Sequence, residues 1–168
     1  MCEMDRKANN NGDDNQDIYR YEAIFLNNDE ILSLFNSIRK TMPYTFITKD
    51  FHVTTEFMPS KLHEQWYGER VSVRITAYKS QEVIADNGMI TANEGFKVVL
   101  SSENKSLSSY LNSLNKNFHI TGSYQDAAKY TEQIDFRDGK KMNIEIIGIY
   151  GCCDSNKIIH LNALECCY

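Results

Sequence analysis

Two segments far apart in the chain, Phe51–Phe57 and Phe118–Tyr124, alternate apolar and polar side chains with a period of two. Successive side chains of an extended strand point to opposite faces. Phe51, Val53, Thr55 and Phe57 are therefore expected on one face, with His52, Thr54 and Glu56 on the other. In the second segment Phe118, Ile120 and Gly122 oppose His119, Thr121 and Ser123. Such strands bury one face in a core and leave the other free for chemistry. More strands are expected at Tyr19–Leu26, Arg70–Tyr78, Gly95–Leu100, Met142–Gly151 and Lys157–Leu161. Asp86-Asn87-Gly88 and Asp154-Ser155-Asn156 carry the turn residues between them.

Helical spacing interrupts this pattern. Ile31, Leu34, Phe35, Ile38 and Met42 form one apolar face behind the start signal Asn28-Asp29-Glu30, and Pro43 closes the run. Ser106–Leu114 and Gln125–Gln133 also read as helices. The class is α+β. Residues 1–17 are polar and cannot bury enough surface to offset the entropy of ordering, so a disordered arm is expected there. Residues 18–168 then form one domain, a length that can bury a core.

The phrase apolar-His-apolar-Thr occurs twice, as Phe51-His52-Val53-Thr54 and Phe118-His119-Ile120-Thr121. Each copy projects an imidazole and a hydroxyl side by side from a rigid strand. With four His and nine Thr in 168 residues, chance supplies about 0.2 of one His-x-Thr, so two copies with matching flanks call for an explanation. Converged on one spot, they suit phosphoryl chemistry. A neutral histidine removes a proton from the attacking oxygen, and a protonated one delivers a proton to the leaving oxygen. Thr54 and Thr121 hydroxyls can donate to non-bridging phosphate oxygens. Which histidine is base and which acid depends on how a substrate lies. This chemistry is expected to need no metal and no cofactor.

The net charge of -5 argues against a long non-specific nucleic-acid groove, which shows a basic excess. A small nucleotide held by local contacts fits better. No apolar run approaches the ~18–20 residues of a membrane span, and the N-terminus lacks the apolar core of a secretory signal. An intracellular, cytoplasmic chain with no obligatory protein partner is therefore expected. Cys2, Cys152, Cys153, Cys166 and Cys167 read as reduced thiols. Zinc with His160, or a bridge from the tail to Cys152–Cys153, are the alternatives.

Among other candidates, Tyr44, Phe46, Trp66, Tyr67 and Tyr124 could stack on a base, Tyr124 first because it follows the second phrase directly. Ser123 is expected beside Thr121 as a third cleft hydroxyl. Lys49 and Arg74 could hold a phosphate or simply be solvated. His63 is expected solvated in a polar loop, and His160 satisfied in the core. Asn104-Lys105-Ser106 matches a glycosylation acceptor but is not expected to carry sugar. Gly122 inside a strand marks a bulge or a close backbone approach.

The paired His-x-Thr phrases resemble those of the 2H phosphoesterase (LigT-like) superfamily, across roughly residues 19–165. The segments Tyr44-Thr45-Phe46, Tyr67-Gly68-Glu69 and Asn93-Glu94-Gly95-Phe96 are similar to its small bacterial and viral members. The resemblance implies a bilobal fold, two antiparallel sheets facing across a central cleft with helices outside. It implies His52 and His119 as catalytic residues and Thr54 and Thr121 as phosphate binders. Implied substrates are a cyclic di- or oligonucleotide immune messenger such as 2′,3′-cGAMP, destroyed in the host cytoplasm by a viral protein, or RNA ends carrying 2′,3′-cyclic phosphates. A nucleotide-binding module without turnover is the non-enzymatic alternative. The sequence departs from the family's pattern after Thr121, where Gly122-Ser123 replaces the usual apolar continuation.

Overall fold

The computed structural model describes residues 20–162. The arm expected at 1–17, and Cys2, Cys166 and Cys167, lie outside them. The elements run β1 (Tyr21–Phe25), α1 (Asn28–Ile38), β2 (Phe46–Ile47), β3 (His52–Phe57), β4 (Arg70–Ile84), β5 (Ile90–Ser101), α2 (Lys105–Ser113), β6 (His119–Tyr124), β7 (Lys140–Cys153) and β8 (Ile159–His160). Gln125–Gln133, expected as a helix, is a 3-10 segment over Ala128–Gln133. The protein is α+β, mostly antiparallel sheet with few helices.

All strands join one eight-stranded sheet in the order β2-β6-β5-β4-β7-β1-β3, with β8 on β7. The strands expected in two facing sheets are joined into one, because the long strands β4 and β7 pair with each other and make the sheet continuous. The sheet folds over on itself. β3 and β6, near opposite ends of the order, come within 8 Å of each other without being paired.

The chain order contains a duplication. With the two-residue β2 set aside, β1-α1-β3-β4 and β5-α2-β6-β7 repeat strand, helix, strand, long strand. The halves exchange their long strands: β4 pairs with β5, and β7 pairs with β1. Both helices begin at an asparagine. Asn27 accepts from the Glu30 N–H and Asn104 from the Leu107 N–H, each meeting a donor that the first helical turn leaves open. The cap of α1 is therefore Asn27, one residue before the expected start. Asn104, the glycosylation match, is used as a cap.

One core sits between the helices and the sheet. Ile31 and Phe35 of α1 and Leu107 and Leu111 of α2 are buried against Ile24, Val53, Phe96 and Ile120. Phe35 stacks on Phe96 with ring centroids 4.0 Å apart. Met42, expected on this face, is 86% exposed. The helix ends at Ile38, since Arg39 turns to extended backbone and sends its guanidinium to Glu94. The β4–β5 hairpin closes through the expected turn, where Gly88 takes a φ of +82 that side chains rarely adopt. Among the described residues no helix is long and apolar enough to cross a membrane.

Candidate active site

The two His-x-Thr phrases lie on β3 and β6, so the fold-over brings them face to face. His52, Thr54, His119, Thr121 and Tyr124 all line one cleft of about 660 Å³. Phe51, Val53 and Ile120 are buried on the other face of the same strands, which fixes the direction of the histidines.

Each phrase is followed at once by a β-bulge. On β3 the register steps from Ala23↔Thr54 to Glu22↔Glu56, leaving Thr55 as the extra residue. On β6 it steps from Gly95↔Thr121 to Glu94↔Ser123, leaving Gly122. A bulge reverses the alternation beyond it. Phe57 and Tyr124, each five residues after its histidine, therefore return to the cleft. Glu56 and Ser123 turn away from it. The bulge at Gly122 was legible, and that at Thr55 was not. Glycine is needed at 122, since a Cβ there would lie 2.6 Å from the Phe35 ring and 2.8 Å from Glu94 Oε1.

This corrects two placements. Ser123 is fully buried, donates to Glu94 Oε1 at 2.8 Å and accepts from the Tyr44 N–H at 3.0 Å, so it is no cleft hydroxyl. Tyr44 does not line the cleft, and its hydroxyl meets that of Ser80. Trp66 and Tyr67 pack against the core, whereas Phe46 lies at the cleft, stacked on Tyr124 at 5.6 Å. Arg74 is away from the cleft beside Glu145, while Lys49 lines it.

The histidines are oriented alike. His52 Nδ1–H donates to the Asp50 carbonyl at 2.7 Å, and His119 Nδ1–H to the Asn117 carbonyl at 2.8 Å. A carbonyl can only accept, so each neutral ring carries its proton on Nδ1 and keeps Nε2 for proton transfer. His52 also stacks on Tyr21 at 4.8 Å. Desolvation lowers the pKa of both rings from the ordinary 6.5. His119 further lowers His52, and Lys116 lowers His119, against the pull of Glu132. Both rings are thus held towards the neutral form that a base needs.

These shifts set a pH dependence of stability. A folded-state pKa below 6.5 means that the unfolded chain binds more protons, so stability rises with pH in that window. It should be fully present above 6.5 and lost as pH falls through the two folded values. Chemical denaturation from pH 7.5 to 5 should show this decline. The double variant His52→Ala/His119→Ala should show a shallower one, and an equal slope in both proteins would refute the assignment.

The two threonines differ. Thr121 Oγ1 donates to Thr131 Oγ1 at 2.8 Å, and Asn93 Nδ2 donates to Thr131 Oγ1 at 3.0 Å, which fixes that hydroxyl from behind. Thr54 makes no such side-chain bond among the described residues. Lys49, Lys116, Lys129 and Lys157 ring the cleft, against Asp50 and Glu132. Lys116 is held by the Thr55 carbonyl at 2.7 Å and Lys129 by Asp86 at 2.6 Å. The cleft is locally basic although the chain is acidic.

Behind each bulge lies a buried glutamate that sequence reasoning missed. Glu94 takes Arg39, the Tyr78 hydroxyl at 2.6 Å and Ser123. Glu22 takes the Tyr67 hydroxyl at 2.6 Å, the Tyr150 hydroxyl at 2.9 Å and both the N–H and Nδ1 of His63. His63, expected solvated, is therefore half-buried and paired with Glu22, a further correction. The available signal was one acid inside the apolar run Tyr21-Glu22-Ala23-Ile24-Phe25. Glu22, Glu56 and His63 place donor atoms within 4.8 Å of one another, but Glu22 is already saturated by these hydrogen bonds. His160 is buried and bonded to Asp154 at 2.7 Å, as expected of a core histidine. Cys152 and Cys153 are buried.

Comparison with known proteins finds no matching family model, curated protein or solved structure.

Proposed function

We propose that the protein is a phosphodiesterase of the two-histidine type, with the bilobal cleft architecture of that class. The single observation that carries the reading is the convergence of two His-x-Thr phrases, from separate halves of the chain, on one lysine-ringed cleft. Nε2 of one neutral histidine takes the proton of the attacking oxygen, from water or a ribose hydroxyl. That oxygen bonds to phosphorus, the bond to the leaving oxygen breaks, and the other histidine, protonated, gives its proton to the leaving group. Thr54 and the cleft lysines stabilise the charge on the non-bridging oxygens, and Thr121 joins them once its hydroxyl hydrogen turns from Thr131 Oγ1 to the phosphate. The substrate is a 2′-linked or 2′,3′-cyclic phosphodiester. The small cleft and the acidic chain favour a cyclic di- or oligonucleotide over a long polymer.

A chromatographic assay tests this. The purified protein, in EDTA, is given 2′,3′-cGAMP, an all-3′,5′ cyclic dinucleotide and adenosine 2′,3′-cyclic phosphate, beside the double histidine variant. Cleavage of 2′,3′-cGAMP that needs the histidines and survives EDTA is the expected result. Cleavage of the mononucleotide alone moves the substrate to RNA ends. Tight binding with no turnover of any of them makes the cleft a binding module.

A further inference from the structure

We infer that Thr131, held by Asn93, is a positioning residue: it keeps the Thr121 oxygen in place when the Thr121 hydrogen turns to the substrate phosphate. The inference rests on the phosphodiesterase reading and adds to it a residue outside the two His-x-Thr phrases. Thr131 and Asn93 are both fully buried. The Asn93 amide nitrogen lies 3.0 Å from the Ala127 carbonyl, 3.2 Å from the Ala128 carbonyl and 3.0 Å from Thr131 Oγ1. Carbonyls only accept, so they fix which way the amide faces, and Asn93 can only donate to Thr131. Thr131 Oγ1 accepts a second bond from the Thr121 hydroxyl at 2.8 Å. When the Thr121 hydrogen swings to a phosphate oxygen, the Thr131 hydrogen can swing to Thr121 Oγ1 across the same distance. The pair then exchanges donor and acceptor without either oxygen moving, and a hydroxyl that accepts one bond donates the next more strongly.

The duplication shows that this support belongs to one half only. By register, Asn93 and Gly95 stand where the first half has Tyr21 and Ala23, each pair flanking a buried glutamate. Gly95 makes room for Thr131: a Cβ there would lie 2.7 Å from Thr131 Cγ2 and 2.7 Å from the Ile120 carbonyl. Ala23 carries the Cβ that Gly95 lacks. Thr54, its partner across the strands, makes no side-chain hydrogen bond among the described residues. The Thr121 side of the cleft is therefore preorganised, and Thr54 must find the phosphate by rotating its own hydroxyl.

A double-mutant cycle on kcat/KM tests this, with whichever of the three nucleotides above the wild type cleaves. Thr131→Val removes the hydroxyl at nearly constant shape. Both Asn93 hydrogens keep a carbonyl, so the melting temperature should hold. The variant should lose about 2- to 10-fold in kcat/KM, the worth of one hydrogen bond, and Thr131→Ser should keep the wild-type value. Thr121→Val/Thr131→Val should be no slower than Thr121→Val, because Thr131 acts through Thr121. Thr54→Val/Thr131→Val should show the full added loss over Thr54→Val. If Thr131→Val melts below the wild type, Thr131→Ala takes its place in the same cycle. The inference is overturned if the Thr131 variant turns over like the wild type, or if it slows the Thr121→Val background by the same factor. It is equally overturned if Thr131→Ser is as slow as Thr131→Val. A wild type that binds these nucleotides and never cleaves them removes the phosphodiesterase reading alone, and the same cycle read as Kd then decides the role of Thr131. A wild type that neither binds nor cleaves them overturns both.

Discussion

Replacing His52 or His119 by alanine should lower the turnover of the preferred substrate by about 10²–10⁴-fold each, with ligand affinity changed little. The rings meet the cleft through Nε2, and each is steered by the carbonyl two residues before it, so removing one leaves the other in place. The double variant should be scarcely slower than the worse single one, because acid and base act in the same step. Single-turnover rates beside equilibrium titrations would measure this. A variant that keeps more than a tenth of the wild-type rate would remove that histidine from the chemistry.

The largest effect on stability should come from Arg39→Ala. Arg39 and Glu94 form an ion pair with side chains only 6% and 3% exposed. The guanidinium contacts both carboxylate oxygens, through Nε at 3.1 and 2.8 Å and Nη2 at 2.7 Å. Removing one partner leaves a buried charge uncompensated, which costs about 3–5 kcal/mol. Urea denaturation should show that loss. Arg39→Met combined with Glu94→Gln should recover most of it, since no charge is then left unpaired. Glu94 also anchors Ser123 in the bulge beside Thr121, so the single variant should lose turnover beyond its unfolded fraction. If Arg39→Ala unfolds at the wild-type denaturant midpoint, the pair is not what holds this part of the fold.

The strands and their inward faces were legible from alternation alone, and so was the pairing of His with Thr on one face. The errors begin where alternation stops describing the backbone. At Gly122 the missing Cβ announced a bulge, but Ser123 was still counted with a period of two and assigned to the wrong face. At Thr55 nothing announced one, because threonine is an ordinary strand residue, so Glu56 and Phe57 were exchanged. His63 was misread for a different reason. Its partner Glu22 is forty-one residues away, and no local pattern reports such a pairing. The union of the strands in one sheet is equally non-local, since it depends on β4 meeting β7.

That exchange of long strands has a consequence for how the chain folds. Each half keeps one short pairing of its own, β1–β3 and β5–β6, and borrows its next neighbour: β5 leans on β4 from the first half, and β1 leans on β7 from the second. The arrangement is that of a homodimer written into a single polypeptide, with each half donating a strand to the other. Neither half can close its core alone, so the N-terminal half must wait during synthesis until β7 has been made. Most of the sheet is then gained in one late, long-range and slow step, and the cleft exists only once that step is complete.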